Sequence, residues 1–353
     1  MCALVFLAGG LTGLSSAIRV EVTDPRLQYV GRFDWRDSAG PRCSWAGSSV
    51  RLAFFGTSLI ALLKDSGPED YFEVIVDGKP QPGMLSITRA QQRYPVVTGL
   101  PAGHHVVELF KRTEPLVGTT QLLGFEIEGA RLLALPHRSQ RRLLIIGDSI
   151  SCGFGNEAAD ETQPFSPRTE NNYLAYGSVA ARELGAGCHC IAWSGRKMSP
   201  DNTMPEVYPR TLPDDPSSHW ASAAWVPNAV VINLATNDFR EGPPEQHRWV
   251  AAYLGFVRQL RAEFPKASIV VTLGPMLSDG WPPGQNQLSI ARGYLREVVS
   301  RGRADGDHHL SFLEFPEQRA EDGYGASKHP SVKTHRRMAH ALVEALRHQG
   351  FGS

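Results

Sequence analysis

The sequence predicts an α/β domain, with three layers around a mostly parallel sheet, preceded by an all-β domain of jelly-roll type. Three observations predict it. Residues 18 to about 135 run in short alternating stretches cut by turn residues, with no useful helical period. From residue 141 onward, continuous apolar runs alternate with stretches of helical spacing, the rhythm of a parallel sheet covered on both faces. Every chemically capable polar cluster in that second part directly follows an apolar run or precedes the last helix, where parallel strands deliver side chains to a common edge.

The elements follow in order. Residues 1–17 hold an apolar run from Ala3 to Leu7 and end in Ser15, Ser16 and Ala17, so the segment reads as the remnant of a secretory signal. The first basic residue is Arg19, so the usual positive n-region is missing, and an ordinary first strand and turn is the alternative. The segment is too short and too glycine-rich to span a bilayer. In the domain expected over 18–135, strands are read at Ser49 to Phe55, Tyr71 to Val76, His104 to Lys111 and Thr120 to Glu128, with Asp77-Gly78 as a hairpin turn. The polar stretch 135–140 reads as a linker.

In the second domain, expected over 141–350, buried strands are read at Leu143 to Ile146, Cys188 to Ala192, Ala229 to Leu234, Ser268 to Leu273 and His309 to Leu313. Helices are expected at Tyr173 to Leu184, Glu245 to Phe264, Gln287 to Arg303 and Val332 to Arg347. The Pro-rich stretch Ser199 to Pro227 is expected to form a long loop beside the cleft.

Composition narrows the function. With 36 Lys plus Arg against 36 Asp plus Glu, no field of one sign exists to attract nucleic acid or an anionic membrane surface. Of the 5 cysteines, Cys188 and Cys190 alternate on an apolar strand and their spacing fits no zinc pattern. No metal is expected, and a disulfide is possible without being predicted.

Four clusters carry chemistry. Gly147-Asp148-Ser149 follows the first apolar strand; a serine on that turn exposes its hydroxyl beside free backbone N–H groups, as a nucleophile requires. Asp148 is read as fixing the turn. Gly195, in Trp193-Ser194-Gly195-Arg196, lets the backbone approach a substrate and aim its N–H inward. Asn237, after the Ala229 strand, can donate to a developing oxyanion or tie down a loop. His329, ahead of the last helix, can reach across the sheet edge as a general base, whereas His335, His340 and His348 lie within that helix and read as surface or capping residues. Each cluster alone has a bland structural reading.

Their joint order, Gly-Asp-Ser, Gly, Asn-Asp and His-Pro, resembles the SGNH (GDSL-type) hydrolase superfamily. The resemblance implies Ser149 as nucleophile, His329 as base, and the N–H groups of Ser149 and Gly195 with the Asn237 amide as oxyanion hole. An all-β domain ahead of it, the blocks GDSISCGFGN (147–156), ENNYLAY (170–176) and WSGR (193–196), and upstream GRFD (31–34) and WAGS (45–48) resemble carbohydrate esterase family 2. That implies removal of O-acetyl groups from xylan- or mannan-type polysaccharides through an acetyl-serine, without metal or organic cofactor; the signal-like first segment adds the expectation of a secreted or periplasmic protein, and a monomer is expected. Another SGNH esterase, acting on lipid, short-chain or peptidoglycan acetyl esters, and a decayed carbohydrate-binding protein are the alternatives.

One departure matters. Many SGNH enzymes carry Asp three residues before the histidine, and here that residue is Ala326, followed by Ser327 and Lys328 where relatives show an acid and a Trp. The resemblance implies a Ser–His dyad with the histidine held by a backbone carbonyl; Asp322, Asp305 or another acid folding back is the alternative. The lost aromatic leaves Trp281, and secondarily Trp193, Phe154 and Tyr324, as candidate stacking faces for sugar.

Overall fold

The computed structural model describes residues 17–128, 131–136 and 139–351. The expected signal remnant, apart from Ala17, lies outside the described residues, as do His137 and Arg138 of the expected linker.

The N-terminal part is all β. Its strands are β1 (Ile18–Val20), β2 (Gln28–Val30), β3 (Arg42–Cys43), β4 (Ser49–Gly56), β5 (Ser58–Asp65), β6 (Asp70–Val76), β7 (Lys79–Pro80), β8 (Leu85–Ile87), β9 (Arg93–Val97), β10 (Gly103–Lys111), β11 (Thr120–Glu128) and β12 (Arg131–Leu133). They form two antiparallel sheets, one ordered β1-β11-β5-β9 with β3 on β11, the other β12-β4-β10-β6-β7 with β2 on β4 and β8 on β6. Alternation explains the packing. Val50, Leu52 and Phe54 of β4 point inward with Val107 and Leu109 of β10, and meet Leu59, Ala61 and Leu63 of β5 with Phe125 and Ile127 of β11. Asp77 and Gly78, both at positive φ, make the turn between β6 and β7, as that dipeptide predicts.

The C-terminal part is built on a five-stranded sheet with strands β13 (Arg142–Gly147), β14 (Gly187–Ala192), β15 (Ala229–Asn233), β16 (Ser268–Leu273) and β17 (Leu310–Glu314). All pair in parallel, in the order β14-β13-β15-β16-β17. The helices are α1 (Ser149–Cys152), α2 (Tyr176–Glu183), α3 (Met204–Val207), α4 (Gln246–Glu263), α5 (Gln287–Ala304) and α6 (Val332–His348). Alternate strand residues serve opposite faces. Leu144, Ile146, Val230, Ile232, Ile269 and Val271 pack with Trp249, Tyr253, Leu288 and Leu295 of α4 and α5. Leu143, Ile145, Val231 and Val270 pack with Tyr176, Ala180, Met338 and Leu342 of α2 and α6. Both faces are dry, which is why these strands read as unbroken apolar runs.

The strand order reverses direction between β13 and β15, the switch point where open α/β sheets hold ligands beyond the carboxyl ends. Two expectations change. The stretch 199–227 is not a bare loop: it contains α3 and buries Met204, Val207, Tyr208 and Leu212 in the core. His335 is fully buried in α6 rather than on its surface, accepting the Tyr176 N–H through Nδ1 at 3.2 Å. Helical periodicity assigned its neighbours inward, and the polar ring went with them.

Candidate active site at the sheet edge

Strand β13 ends at Gly147, where a Cβ would fall 2.1 Å from Ser151 Oγ, so only glycine lets the chain turn here. Asp148 then caps α1, its carboxylate accepting the Ile150 N–H at 3.0 Å. Ser149 becomes the first residue of a single helical turn that closes on Gly153, left-handed at φ 85°. At that position its own N–H has no helical acceptor. Among the described residues nothing else takes it.

His329 comes from 180 residues further along. Its Nε2 lies 2.9 Å from Ser149 Oγ and its Nδ1 lies 3.0 Å from the Ala326 carbonyl. A carbonyl only accepts, so Nδ1 carries the proton and Nε2 presents its lone pair to the serine. Asp322 pairs with Arg337 at 2.5 Å and Asp305 with Arg258 at 2.6 Å, so neither supplies a carboxylate to the ring. Burial lowers His329 to about 4, only partly offset by the 326 and 327 backbone and reinforced by the nearby Arg240 charge. The imidazole is therefore neutral at ordinary pH. Phe154 flanks it with ring centroids 4.4 Å apart and is itself stacked on Phe165.

The Trp193–Arg196 turn sits alongside. Arg196 N–H closes on the Trp193 carbonyl at 3.3 Å with Gly195 at φ 78°, the type II arrangement that requires glycine at its third position. Trp193 N–H reaches the Gly147 carbonyl at 3.3 Å, which ties the turn to the strand end that carries Ser149. The Gly195 N–H has no acceptor among the described residues. Asn237 joins the same edge, its Nδ2 donating to the Arg196 carbonyl at 3.0 Å and to Asp148 at 3.3 Å. Burial raises Asp148 to about 7. Asp238 ties the adjoining loop down by accepting Met198 N–H, Ser199 N–H and the Trp249 indole.

The aromatic candidates are less closely engaged. Trp281 is 73 % exposed, and no hydrogen bond or ring contact links it to the Ser–His pair among the described residues. Trp193 has one ring face taken by the Arg196 guanidinium at 3.9 Å. Tyr324 is half-buried, bridged to Pro330 beside the histidine. The large hollow between the two parts, lined by Arg51, Glu108, Tyr173, Arg182 and Trp225, contains neither Ser149 nor His329. Sequence reasoning missed Phe165 and the acid Glu114, whose carboxylate accepts the Ser194 N–H at 2.7 Å. Neither carries a local signal, because Glu114 stands in the other part of the chain.

A parallel α/β sheet whose switch point holds a serine hydroxyl, a neutral imidazole and unpaired N–H groups has the equipment of a serine hydrolase. The carbohydrate esterase 2 N-terminal model matches residues 29–136, and the GDSL-like lipase/acylhydrolase family model matches residues 145–337. The chain belongs to the family 2 carbohydrate esterases, within the GDSL-like hydrolases. Among its relatives is the cellulase/esterase CelE of Acetivibrio thermocellus, 39% identical over 92% of this chain; the chain spans 40% of that protein's length. An acetylxylan esterase/glucomannan deacetylase of Cellvibrio japonicus is 27% identical, with 95% of this chain and 92% of the relative covered. A family two carbohydrate esterase from Clostridium thermocellum, solved in complex with cellohexaose, superposes with a TM-score of 0.87 at 38% identity, covering 92% of this chain and 99% of that one.

Proposed function

We propose that the protein removes O-acetyl groups from plant cell-wall polysaccharides of the xylan or mannan type by acyl transfer through Ser149. The observation that carries this reading is the continuous line Ala326 carbonyl, His329 Nδ1, His329 Nε2, Ser149 Oγ, with both contacts at hydrogen-bond distance. His329 takes the Ser149 proton as the oxygen attacks the acetyl carbonyl. The N–H groups of Ser149 and Gly195 are assigned to the oxyanion, and the Asn237 amide joins them by giving up its longer hydrogen bond, the one to Asp148. The imidazolium then protonates the departing sugar oxygen as its bond to the acetyl carbon breaks; in the second half His329 draws a proton from the attacking water and passes it to Ser149 Oγ as acetate leaves. The Ala326 carbonyl fixes the tautomer as a third carboxylate would, with less stabilisation of the imidazolium.

The substrate assignment rests on family membership and on relatives named acetylxylan esterase/glucomannan deacetylase. Trp281, Trp193 and Tyr324 remain the candidate sugar contacts. We assign the all-β part to 18–135 as a jelly roll and the hydrolase part to 141–350, and we read the protein as a monomer that acts outside the cytoplasm without a cofactor. No helix among the described residues is long and apolar enough to cross a membrane.

Two measurements test the proposal. Ser149→Ala should lower p-nitrophenyl acetate hydrolysis by about three orders of magnitude or more in a folded protein. Near-normal turnover by that variant would refute the nucleophile. Acetate release should exceed that of longer acyl groups steeply along a chain-length series, and should be detectable from acetylated xylan or glucomannan. A preference for octanoate would move the protein to lipid esters.

A further inference from the structure

The N-terminal part sends four consecutive residues, Lys111 to Glu114, to the end of β10 and just beyond, and all four are buried. Lys111 is neutralised within its own part by Asp70 at 2.6 Å. Arg112 and Glu114 instead cross to the hydrolase part. The Arg112 carbonyl accepts the Asn172 N–H at 2.9 Å. Glu114, wholly enclosed, accepts from Ser194 twice, from its N–H at 2.7 Å and from its hydroxyl. Glu114 is in turn fixed by Glu170, whose Oε2 accepts the Glu114 N–H at 3.1 Å. Ser194 is the residue directly before Gly195 and the second position of the type II turn.

We infer that Glu114 is a positioning residue for the oxyanion turn: its grip on both donors of Ser194 holds the Gly195 N–H in place beside Ser149, so the all-β part completes the site of the hydrolase part. The inference rests on the reading of Ser149 and Gly195 given above. The rest of the turn is held by Trp193 N–H to Gly147, by Asn237 to the Arg196 carbonyl and by Asn202 Nδ2 to the Gly195 carbonyl at 3.1 Å, and none of these contacts reaches Ser194. Glu114 fixes Ser194 from the buried loop just past β10, where Glu170 in turn holds the Glu114 N–H. Placement of an oxyanion donor matters steeply, since a shift of about 1 Å in a catalytic constellation can cost on the order of 10²-fold in rate.

The neighbourhood also explains the pairing of two acids. Burial pushes both Glu114 and Glu170 up; the Glu114 charge pushes Glu170 further up, whereas hydrogen bonds from Ser194, Glu170 and the Cys152 thiol pull Glu114 back down. Two enclosed carboxyl groups are compatible when one keeps its proton. Glu114 has donors for both its oxygens from Ser194, whereas Glu170 Oε1 has no partner among the described residues. The proton therefore belongs on Glu170, and the charge on Glu114 strengthens its hold on the turn.

The experiment compares Glu114→Ala, Glu114→Gln and Ser194→Ala with the parent protein, using p-nitrophenyl acetate and a trifluoromethyl ketone that mimics the tetrahedral adduct. Glu114→Ala should lower kcat by about 10²-fold, leave KM within about twofold, and weaken the ketone by the same factor as kcat/KM falls. Glu114→Gln keeps an acceptor for the Ser194 N–H and should recover most of the loss, to within about tenfold of the parent. Loss of turnover from fewer folded molecules would lower kcat without moving the inhibition constant, and that outcome overturns the inference. So does a folded Glu114→Ala within about threefold of the parent. Should Glu114→Ala not fold, Ser194→Ala carries the test, with an expected parallel loss of about 3–10-fold in kcat/KM and ketone affinity; unchanged values overturn it. Ser149→Ala, run beside them, reads the nucleophile separately, so a failure there is not mistaken for a failure here.

Discussion

At the scale of single residues, the histidine shows how an environment replaces a side chain. Three positions before His329, Ala326 is fully buried, and a Cβ placed on Gly155 would come within 2.4 Å of its methyl group. The site has no room for a carboxylate, and the Ala326 carbonyl already occupies the Nδ1 proton. Ala326→Asp should therefore not restore a conventional triad. It should destabilise the protein by about 2–4 kcal/mol, read as a fall in the urea midpoint, with no gain in kcat. A faster, equally stable variant would show that the carbonyl is a poor substitute. Burial also sets the pH response. Because His329 is lowered to about 4, the base is neutral over the whole range above it. The acid limb of kcat/KM should fall near pH 4 rather than near 6.5, and a midpoint at 6.5 would mean the ring is solvated in solution.

At the scale of elements, α6 carries a second consequence of burial. His335 is enclosed in it and lowered to about 3. The sign follows directly. Between about 3 and 6.5 the unfolded chain binds a proton on this ring that the folded chain does not, so its contribution to stability is present above 6.5 and is lost as pH falls towards 3. Asp148, raised to about 7, and Asp65, raised to about 6, act with the opposite slope, so the ring must be isolated by difference. His335→Gln, which keeps an acceptor for the Tyr176 N–H, should lose less stability than the parent between pH 6.5 and 4, by on the order of a few kcal/mol in urea unfolding. Parallel curves would place the ring in water.

Elements also show what the sequence makes legible. The strands of the parallel sheet were readable because both faces are dry, and α6 because its apolar stripe is regular. Ser149, Gly195, Asn237 and His329 stood out because each follows or precedes a punctuated element. His335 was misjudged because a polar residue in a helix gives no local sign of burial. Glu114 was invisible for a different reason: its partner lies 80 residues away, and pairing across two folding units leaves no period in the chain.

At the scale of the molecule, buried charges that cross between the two parts predict one cooperative body rather than an enzyme with an appendage. Arg32 of the all-β part is buried, donates to the Tyr208 and Arg210 carbonyls of the hydrolase part, and lies over the Tyr208 and Trp220 rings at 5.0 and 5.4 Å. Arg112, equally buried, binds Glu73 in its own part at 3.2 Å and reaches Glu157 and the Glu170 carbonyl in the other. Separating the parts would bare both guanidinium groups, the carbonyls they satisfy and Glu73, which burial already pushes up. Calorimetry should therefore show a single transition whose van't Hoff and calorimetric enthalpies agree. Arg112→Ala leaves Glu73 buried without its cation and should cost about 3–5 kcal/mol, shifting that one transition down without splitting it. Two resolved transitions in the parent protein would mean that the parts fold independently, and the coupling between the β-sheet end and the oxyanion turn would then have no rigid frame to act through.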